Sequence, residues 1–350
     1  MGSSRPDAPA GSAAATPMPI APPPGNFELG PAKAQFAARR CFTFLHHFCG
    51  TSDFNLGQAV VEAASARGLV AKHISVDRVR DGTDLTAPEP YGEHLALALK
   101  DGVDGYHGGY PCGSFSRVRF RRRPGMPGPV RDATYRYGLP TNSASQQAEA
   151  DKGTLMCART LSLAAAVRDS ALRRGVPPVA TAENPEPPGE PILPSSFHLD
   201  ETIDFMLSDH VVAAAFPLCR FGSEFGKRMV FFGVLGGLSG WSSECVCKHK
   251  HTSLSTPELV KLSGEYPRKL CEAYANLVAD SWLRTLDIEF AASVRTAPPA
   301  GLSTSSSSSS SFSRTRSHDV AFPKPLPVPP AGPSTSSTAG SSSSSGATEA

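Results

Sequence analysis

The chain has 350 residues, a formal net charge of +2, 40% hydrophobic and 19% charged residues. That balance forces no choice of partner, although Arg117, Arg119, Arg121, Arg122 and Arg123 fall within seven residues. No stretch approaches the roughly 20 apolar residues of a spanning helix, and the N-terminus lacks the basic-then-apolar order of a secretory signal, so an intracellular protein, nuclear or cytoplasmic, without membrane association is expected.

Residues 1–35 are rich in Ala, Pro and Gly, and residues 293–350 become Ser- and Pro-rich, with an unbroken serine run from Ser305 to Ser311. Neither end carries enough apolar surface to offset its ordering entropy, so both are expected to be disordered tails. The roughly 260 residues between them suffice for one core, placing a single domain at 36–292. Eight cysteines at irregular spacing in such a chain argue for free thiols rather than a disulfide framework.

Cys41 to Phe48 reads as a buried strand entering a turn at Gly50. Leu56, Ala59, Val60, Ala63 and Ala64 then repeat on one helix face, Gly68 stops the helix, and Leu69 to Val76 forms a second strand ending at Asp77. A helix near Glu93 to Lys100 precedes a strand at Val103 to His107, which runs into Gly108-Gly109-Tyr110-Pro111-Cys112 and a long basic loop. Met156, Leu163, Val167 and Ala171 mark a helix to about Arg174, and Val179 to Ala182 leads as a strand into Glu183-Asn184-Pro185. A helix near Leu199 to Leu207, strands at Val211 to Phe216 and Arg228 to Val234, and a closing helix from Pro267 to Leu283 complete the domain. Alternation of this kind predicts an α/β fold, a doubly wound, mostly parallel sheet with helices on both faces.

In such sheets a ligand sits at the carboxyl ends of the strands. Phe48-Cys49-Gly50, Pro111-Cys112-Gly113 and Glu183-Asn184-Pro185 each follow a predicted strand. A glycine turn lets the backbone approach a ligand, and an acid such as Asp77 can take both hydroxyls of an adenosyl ribose; Asp84 and Pro111 join this candidate cofactor set. The full GxGxxG pattern is absent, which argues against a dehydrogenase. Cys112, after a proline and near several arginines, is a candidate nucleophile whose thiolate nearby positive charge favours; a lone cysteine is as readily an inert buried one. Glu183, between an apolar strand and a Pro-rich loop, is a candidate proton donor through partial desolvation, or an exposed turn acid.

Taken together and in order, these residues resemble the DNA cytosine-5 methyltransferases, which have an FxG turn, an acid after the second strand, a Pro-Cys loop and a Glu-Asn-Val tripeptide. The similarity continues through Phe221-Gly222 and Lys227-Arg228 into an apolar strand, covering about residues 42 to 235. The resemblance implies a Rossmann-like class I methyltransferase fold and a monomer binding S-adenosylmethionine through Phe48, Gly50, Asp77, Asp84 and Pro111. It also implies cytosine C5 methylation by Cys112 with Glu183, Asn184 and Arg228, and DNA, in preference to RNA, held by Arg117, Arg119, Arg121, Arg122 and Arg123. Uncharacterised methyltransferase-like segments beside protist retroelements are similar too, through a Pro-Cys-Gly-x-x-Ser loop and a later Cys-plus-His segment.

The chain also departs from the pattern. Thr51 and Ser52 stand where glycines are usual, Pro185 replaces valine, a glutamine before the basic pair is missing, and no sizeable recognition domain fits between Gly233 and the closing helix. A catalytically silent domain binding nucleic acid or protein, or a methyltransferase for RNA or a small molecule, is the alternative. A zinc nucleobase deaminase is disfavoured because Cys112 is followed by Gly113-Ser114-Phe115 and the second ligand of P-C-x-x-C is missing. Cys245, Cys247, His249 and His251, with Cys219 upstream, are zinc-ligand types, but alternate residues of an extended row cannot all surround one ion. A strand followed by a basic loop, without metal, is expected there.

Overall fold

The computed structural model describes residues 29–52, 54–120, 127–190, 192–248, 250–254 and 256–296. Nearly all of the two expected tails, together with Arg121, Arg122, Arg123 and His249, lies outside the described residues.

The chain opens with α1 (Pro31–Ala37), β1 (Cys41–His47), α2 (Leu56–Ser65), β2 (Val70–Val76), the one-turn α3 (Arg78–Asp81), α4 (Pro88–Leu99) and β3 (Gly105–Gly108). Next come α5 (Ala144–Arg173), β4 (Ala180–Pro185), α6 (Asp200–Met206), β5 (Val212–Pro217), β6 (Arg228–Val234), α7 (Pro257–Leu262) and α8 (Arg268–Thr296). Six strands form one mixed sheet in the order β2-β1-β3-β4-β6-β5. The pairs β1–β2, β1–β3 and β3–β4 are parallel, while β6 runs antiparallel to β4 and β5. The α/β, mostly parallel expectation therefore holds, with β6 as the exception.

Side chains alternate across a strand, and the sheet separates two cores. Phe42 and Phe44 of β1, Met229 and Phe231 of β6, and Ala214 and Phe216 of β5 pack with α2 and α8. Leu45, Val230, Phe232, Ala180 and Ala182 pack on the opposite face with Ala98 of α4, Phe205 of α6 and the Met156–Val167 face of α5. Trp282 of α8 stacks on Phe42 at 4.9 Å between ring centroids. Each of the Leu, Val, Phe and Met side chains among these, taken fully out of water, stabilises the fold by about 1.5–3 kcal/mol.

Several elements depart from their predicted extents. α5 begins at Ala144, where Ser143 and Gln146 form a capping box, well ahead of the periodic stretch from Met156. The polar first half of that helix has no apolar face to announce it. α4 starts at Pro88 and α8 runs on to Thr296, while the short helices α1, α3 and α7 span too few turns for periodicity to register. Leu29 and Phe36 already pack on the first core, upstream of the expected domain start or at its edge. Glu183-Asn184-Pro185 does not follow a strand but forms the end of β4. There β6 pairs with it residue by residue, whereas the β3 pairing stops at Ala182. Proline is tolerated at this position because β4 has become an edge on the β3 side.

Candidate functional site

The chain leaves β1 for β2 on one side and returns to β3 on the other. This makes a topological switch point at the carboxyl ends of β1 and β3, where open α/β sheets leave a crevice. Two adjoining cavities of about 410 and 370 Å³ lie there, both lined by Phe48, Asp77, Val79 and Pro111. The larger adds Gly50 and Glu183, the smaller Asp84 and Gly113. Each of the five predicted cofactor residues thus lines one or both of these cavities, whereas Cys112 lines neither.

The turn after β1 is tightly specified. Phe48 and Gly50 both take left-handed backbone conformations (φ 58° and 70°), which is strained for phenylalanine and ordinary for glycine. Phe48 N–H donates to Val76 O at 2.8 Å, and Gly50 N–H donates to Asp77 Oδ2 at 3.1 Å. Asp77 Oδ1 accepts from Val79 N–H at 2.8 Å, capping α3. A carboxylate offers about four lone-pair directions, so about two remain for a ligand after these bonds. Asp84 is held by Thr86, whose N–H and Oγ donate to Oδ1 at 2.9 and 2.6 Å. Those bonds keep its carboxyl below the usual range.

Neighbouring residues of β4 face opposite ways, and the site uses both directions. Glu183 is 8% exposed and borders the larger cavity, and its Oε2 has no hydrogen-bond partner. Burial pushes its carboxyl up to about 7, against the opposing pull of Lys227 and a hydrogen bond with Tyr266. Asn184 points the other way: its Nδ2 donates to Tyr110 O at 3.1 Å, and its Oδ1 accepts from Ser196 Oγ, which in turn accepts from Tyr110 Oη at 2.9 Å. Asn184 therefore pins the loop two residues before Cys112.

Cys112 is half-buried and is followed by a 3-10 turn at Gly113–Phe115. Burial raises its thiol pKa; Lys227 opposes the rise and Glu183 adds to it. The sequence-based expectation of a thiolate favoured by the arginine run is thereby corrected. Arg119 is engaged within the chain: it donates to Gly113 O at 2.8 Å and Gly128 O at 3.2 Å and pairs with Glu149. It braces the Cys112 loop from behind, while Arg117 is exposed. Arg228 is likewise engaged, with Glu186 and with Glu244 at 2.8 Å, so Lys227 rather than Arg228 is the cation acting on Cys112 and Glu183.

Tyr266, His107, Thr181 and Tyr274 carried no sequence signal as site residues, and Lys227 was read only as the neighbour of Arg228. Tyr266 precedes α8 and meets Glu183, and His107 of β3 bridges Tyr266 Oη at 3.0 Å and Thr181 Oγ1 at 2.9 Å. Thr181 reaches Tyr274 Oη at 2.7 Å, so a polar chain runs from Glu183 into the core. Lys227 lies next to the basic position that motif order picked out. A Cβ on Gly109 would lie 2.7 Å from both Glu183 Oε1 and Tyr266 Oη, so only glycine fits there.

A second cluster stands apart from this crevice. Residues 242–252 form no strand among the described residues, correcting the expected strand, and Cys245, Cys247 and His251 converge with Cys219 rather than lying in an extended row. Comparison of the chain with family models, with curated proteins and with solved structures returns no match.

Proposed function

We propose that the crevice binds S-adenosylmethionine and that the chain methylates a nucleic-acid base, cytosine C5 in DNA in preference to RNA, within a Rossmann-like methyltransferase fold. One observation carries this reading: Glu183, whose carboxyl burial pushes up to about 7, lines a switch-point cavity edged by a glycine turn and a strand-end acid, and Cys112, under the influence of the same lysine, sits between the cavity-lining Pro111 and Gly113. Cavities of roughly 300–1,000 Å³ are the range for small-molecule sites.

The donor set fits the cofactor. The free lone pairs of Asp77 suit ribose hydroxyls, the half-buried Phe48 offers an aromatic surface, and no atom stands within 4 Å of where a Gly50 Cβ would project. When bound, S-adenosylmethionine supplies an electrophilic methyl group. The chain's own residues prepare the acceptor. Cys112, once deprotonated with Lys227 beside it, forms an Sγ–C6 bond to a flipped base while Glu183 delivers its proton to N3, which makes C5 nucleophilic. Once C5 carries the methyl group, its remaining proton leaves to water, the Sγ–C6 bond breaks to release the Cys112 thiolate, and N3 returns its proton to Glu183, which restores the aromatic ring. Asn184 and Arg119 act through the loop as positioning residues.

A second reading draws on the raised thiol pKa of Cys112 and on the short 235–256 segment, which leaves no room for a DNA-reading domain. It is a silent methyltransferase-like domain that binds nucleic acid or protein, or a methyltransferase for RNA or a small molecule.

Calorimetric titration of S-adenosylmethionine into the full chain separates the readings. Saturable binding that Asp77→Ala abolishes, with base methylation and trapping by 5-fluorocytosine oligonucleotides that Cys112→Ser abolishes, is the expected result. Binding without transfer leaves the silent domain. No binding removes the cofactor site, and transfer unaffected by Cys112→Ser removes the nucleophile.

A further inference from the structure

Beyond β6 the chain makes a 3-10 turn at Leu238–Trp241 and then continues to Thr256 without helix or strand among the described residues. The segment has little of its own to bury: Glu244, Cys245, Val246 and Lys248 are exposed. It nevertheless folds back on the β5–β6 connection at defined points. Ser243 N–H donates to Ala215 O at 2.9 Å, Arg220 donates to Trp241 O at 2.6 Å and Ser243 Oγ at 3.0 Å, and Thr252 N–H donates to Glu224 O at 3.0 Å. An irregular stretch of this length without an apolar face needs another source of order.

The fold-back supplies one. Cys219, on the buried turn after β5, meets Cys245, Cys247 and His251, and the four potential ligand atoms all lie within 4.8 Å of one another. Cys219 Sγ is 3.4 Å from Cys245 Sγ, and Cys245 Sγ is 3.7 Å from His251 Nε2. Tetrahedral zinc, with bonds of about 2.3 Å to sulfur and about 2.0–2.1 Å to nitrogen, sets ligand–ligand separations of about 3.8 Å for S···S and about 3.5 Å for S···N. These two separations lie within about 0.4 Å of those values and all the others within 4.8 Å, close enough for small side-chain shifts to close the tetrahedron, whereas a disulfide requires about 2.05 Å.

The backbone is shaped for the histidine as well. A Cβ on Gly226 would lie 2.7 Å from His251 Nδ1 and 2.9 Å from its Cγ, so the imidazole rests against a glycine that leaves room for it. Thr252 Oγ1, donating to Glu224 Oε2 at 2.7 Å, fixes the adjoining residue to the same turn.

We propose that Cys219, Cys245, Cys247 and His251 bind one Zn²⁺ ion in a structural site that clips the 242–252 segment to the β5–β6 connection. Three thiolates and an imidazole are a soft donor set that selects zinc over hard cations, and four protein ligands close the tetrahedron to water. On binding, the three thiol protons pass to solvent and three S–Zn bonds and one N–Zn bond form. The turn that contributes Cys219 leads directly to Lys227, so the clip also steadies the cation beside Cys112 and Glu183. The site stands independently of the methyltransferase reading, since its test reads metal content and not transfer.

The full chain is purified without chelator from zinc-supplemented medium and its metal measured by plasma mass spectrometry. About one zinc per chain is expected for the wild type and for Cys41→Ser, falling to near zero in Cys247→Ala and His251→Ala. Should those variants fail to fold, Cys247→His and Co²⁺ decide the matter. The wild type is expected to show tetrahedral Co²⁺ absorption with thiolate-to-metal charge transfer, and the variant to keep the metal with about one third less charge-transfer intensity. Three results overturn the site: a metal-free protein that takes up neither Zn²⁺ nor Co²⁺, a Cys219–Cys245 disulfide in peptide mass analysis, or full zinc content in both Cys247→Ala and His251→Ala.

Discussion

At the residue scale Glu183 concentrates the chemistry of the crevice. Its folded-state pKa, about 7, stands above the ordinary 4.5 because burial disfavours the charged form. Between those two values the folded state holds more protons than the unfolded state, so the stability present below about 4.5 is lost as pH rises toward 7, by up to about 3 kcal/mol. Glu183→Gln keeps the shape and removes the charge. Its stability in urea is therefore expected to gain on the wild type between pH 5 and pH 8; parallel profiles would mean that the carboxyl is hydrated. The sequence left Glu183 open between a partly desolvated proton donor and an exposed turn acid, and only the fold decided for burial. The shift depends on Tyr266, Lys227 and the β6 partner strand, which are distant in the chain.

At the element scale, β3 and β4 present their ends side by side, and the loop between β3 and Cys112 is threaded between Glu183 and Asn184. Gly109 sits where a Cβ would meet Glu183 Oε1 and Tyr266 Oη, whereas a Cβ on Gly113 would meet nothing within 4 Å. Gly109→Ala is therefore expected to cost about 1–3 kcal/mol through overpacking, and Gly113→Ala to stay within about 0.5 kcal/mol of wild type. Thermal unfolding of the two variants checks the contrast, and equal effects would place the tightness elsewhere. Periodicity identified β1, α2 and β6 closely because each has a strong apolar pattern, and β2 was placed by the Gly68 stop before it and Asp77 after it, although only Val76 of the strand is buried. It missed the first half of α5, a polar stretch held by its capping box and by packing.

For the whole molecule, burial of His46, His47 and His107 sets the response to acid. All three have pKa values pushed below the ordinary 6.5 by burial, His46 to about 3. Below 6.5 the unfolded chain takes up protons that the folded chain refuses, so stability is lost as pH falls, by up to about 1.4 kcal/mol per pH unit for each histidine. Three such groups outweigh the opposite trend of Glu183, and urea midpoints are expected to fall steadily from pH 6.5 to pH 5. A flat profile would mean that water reaches these rings. None of the helices of the described residues is long and apolar enough to cross a membrane. The sequence by itself determined the α/β class, most strands, and the order of Gly50, Asp77, Cys112 and Glu183, because hydrophobic period and turn chemistry are local properties of the chain. Tertiary structure alone decided that β6 runs antiparallel, that Arg228 and Arg119 are engaged, that Lys227 serves Cys112 and Glu183, and that Cys219 joins Cys245, Cys247 and His251. Each of these depends on contacts between segments far apart in sequence, which no local pattern encodes.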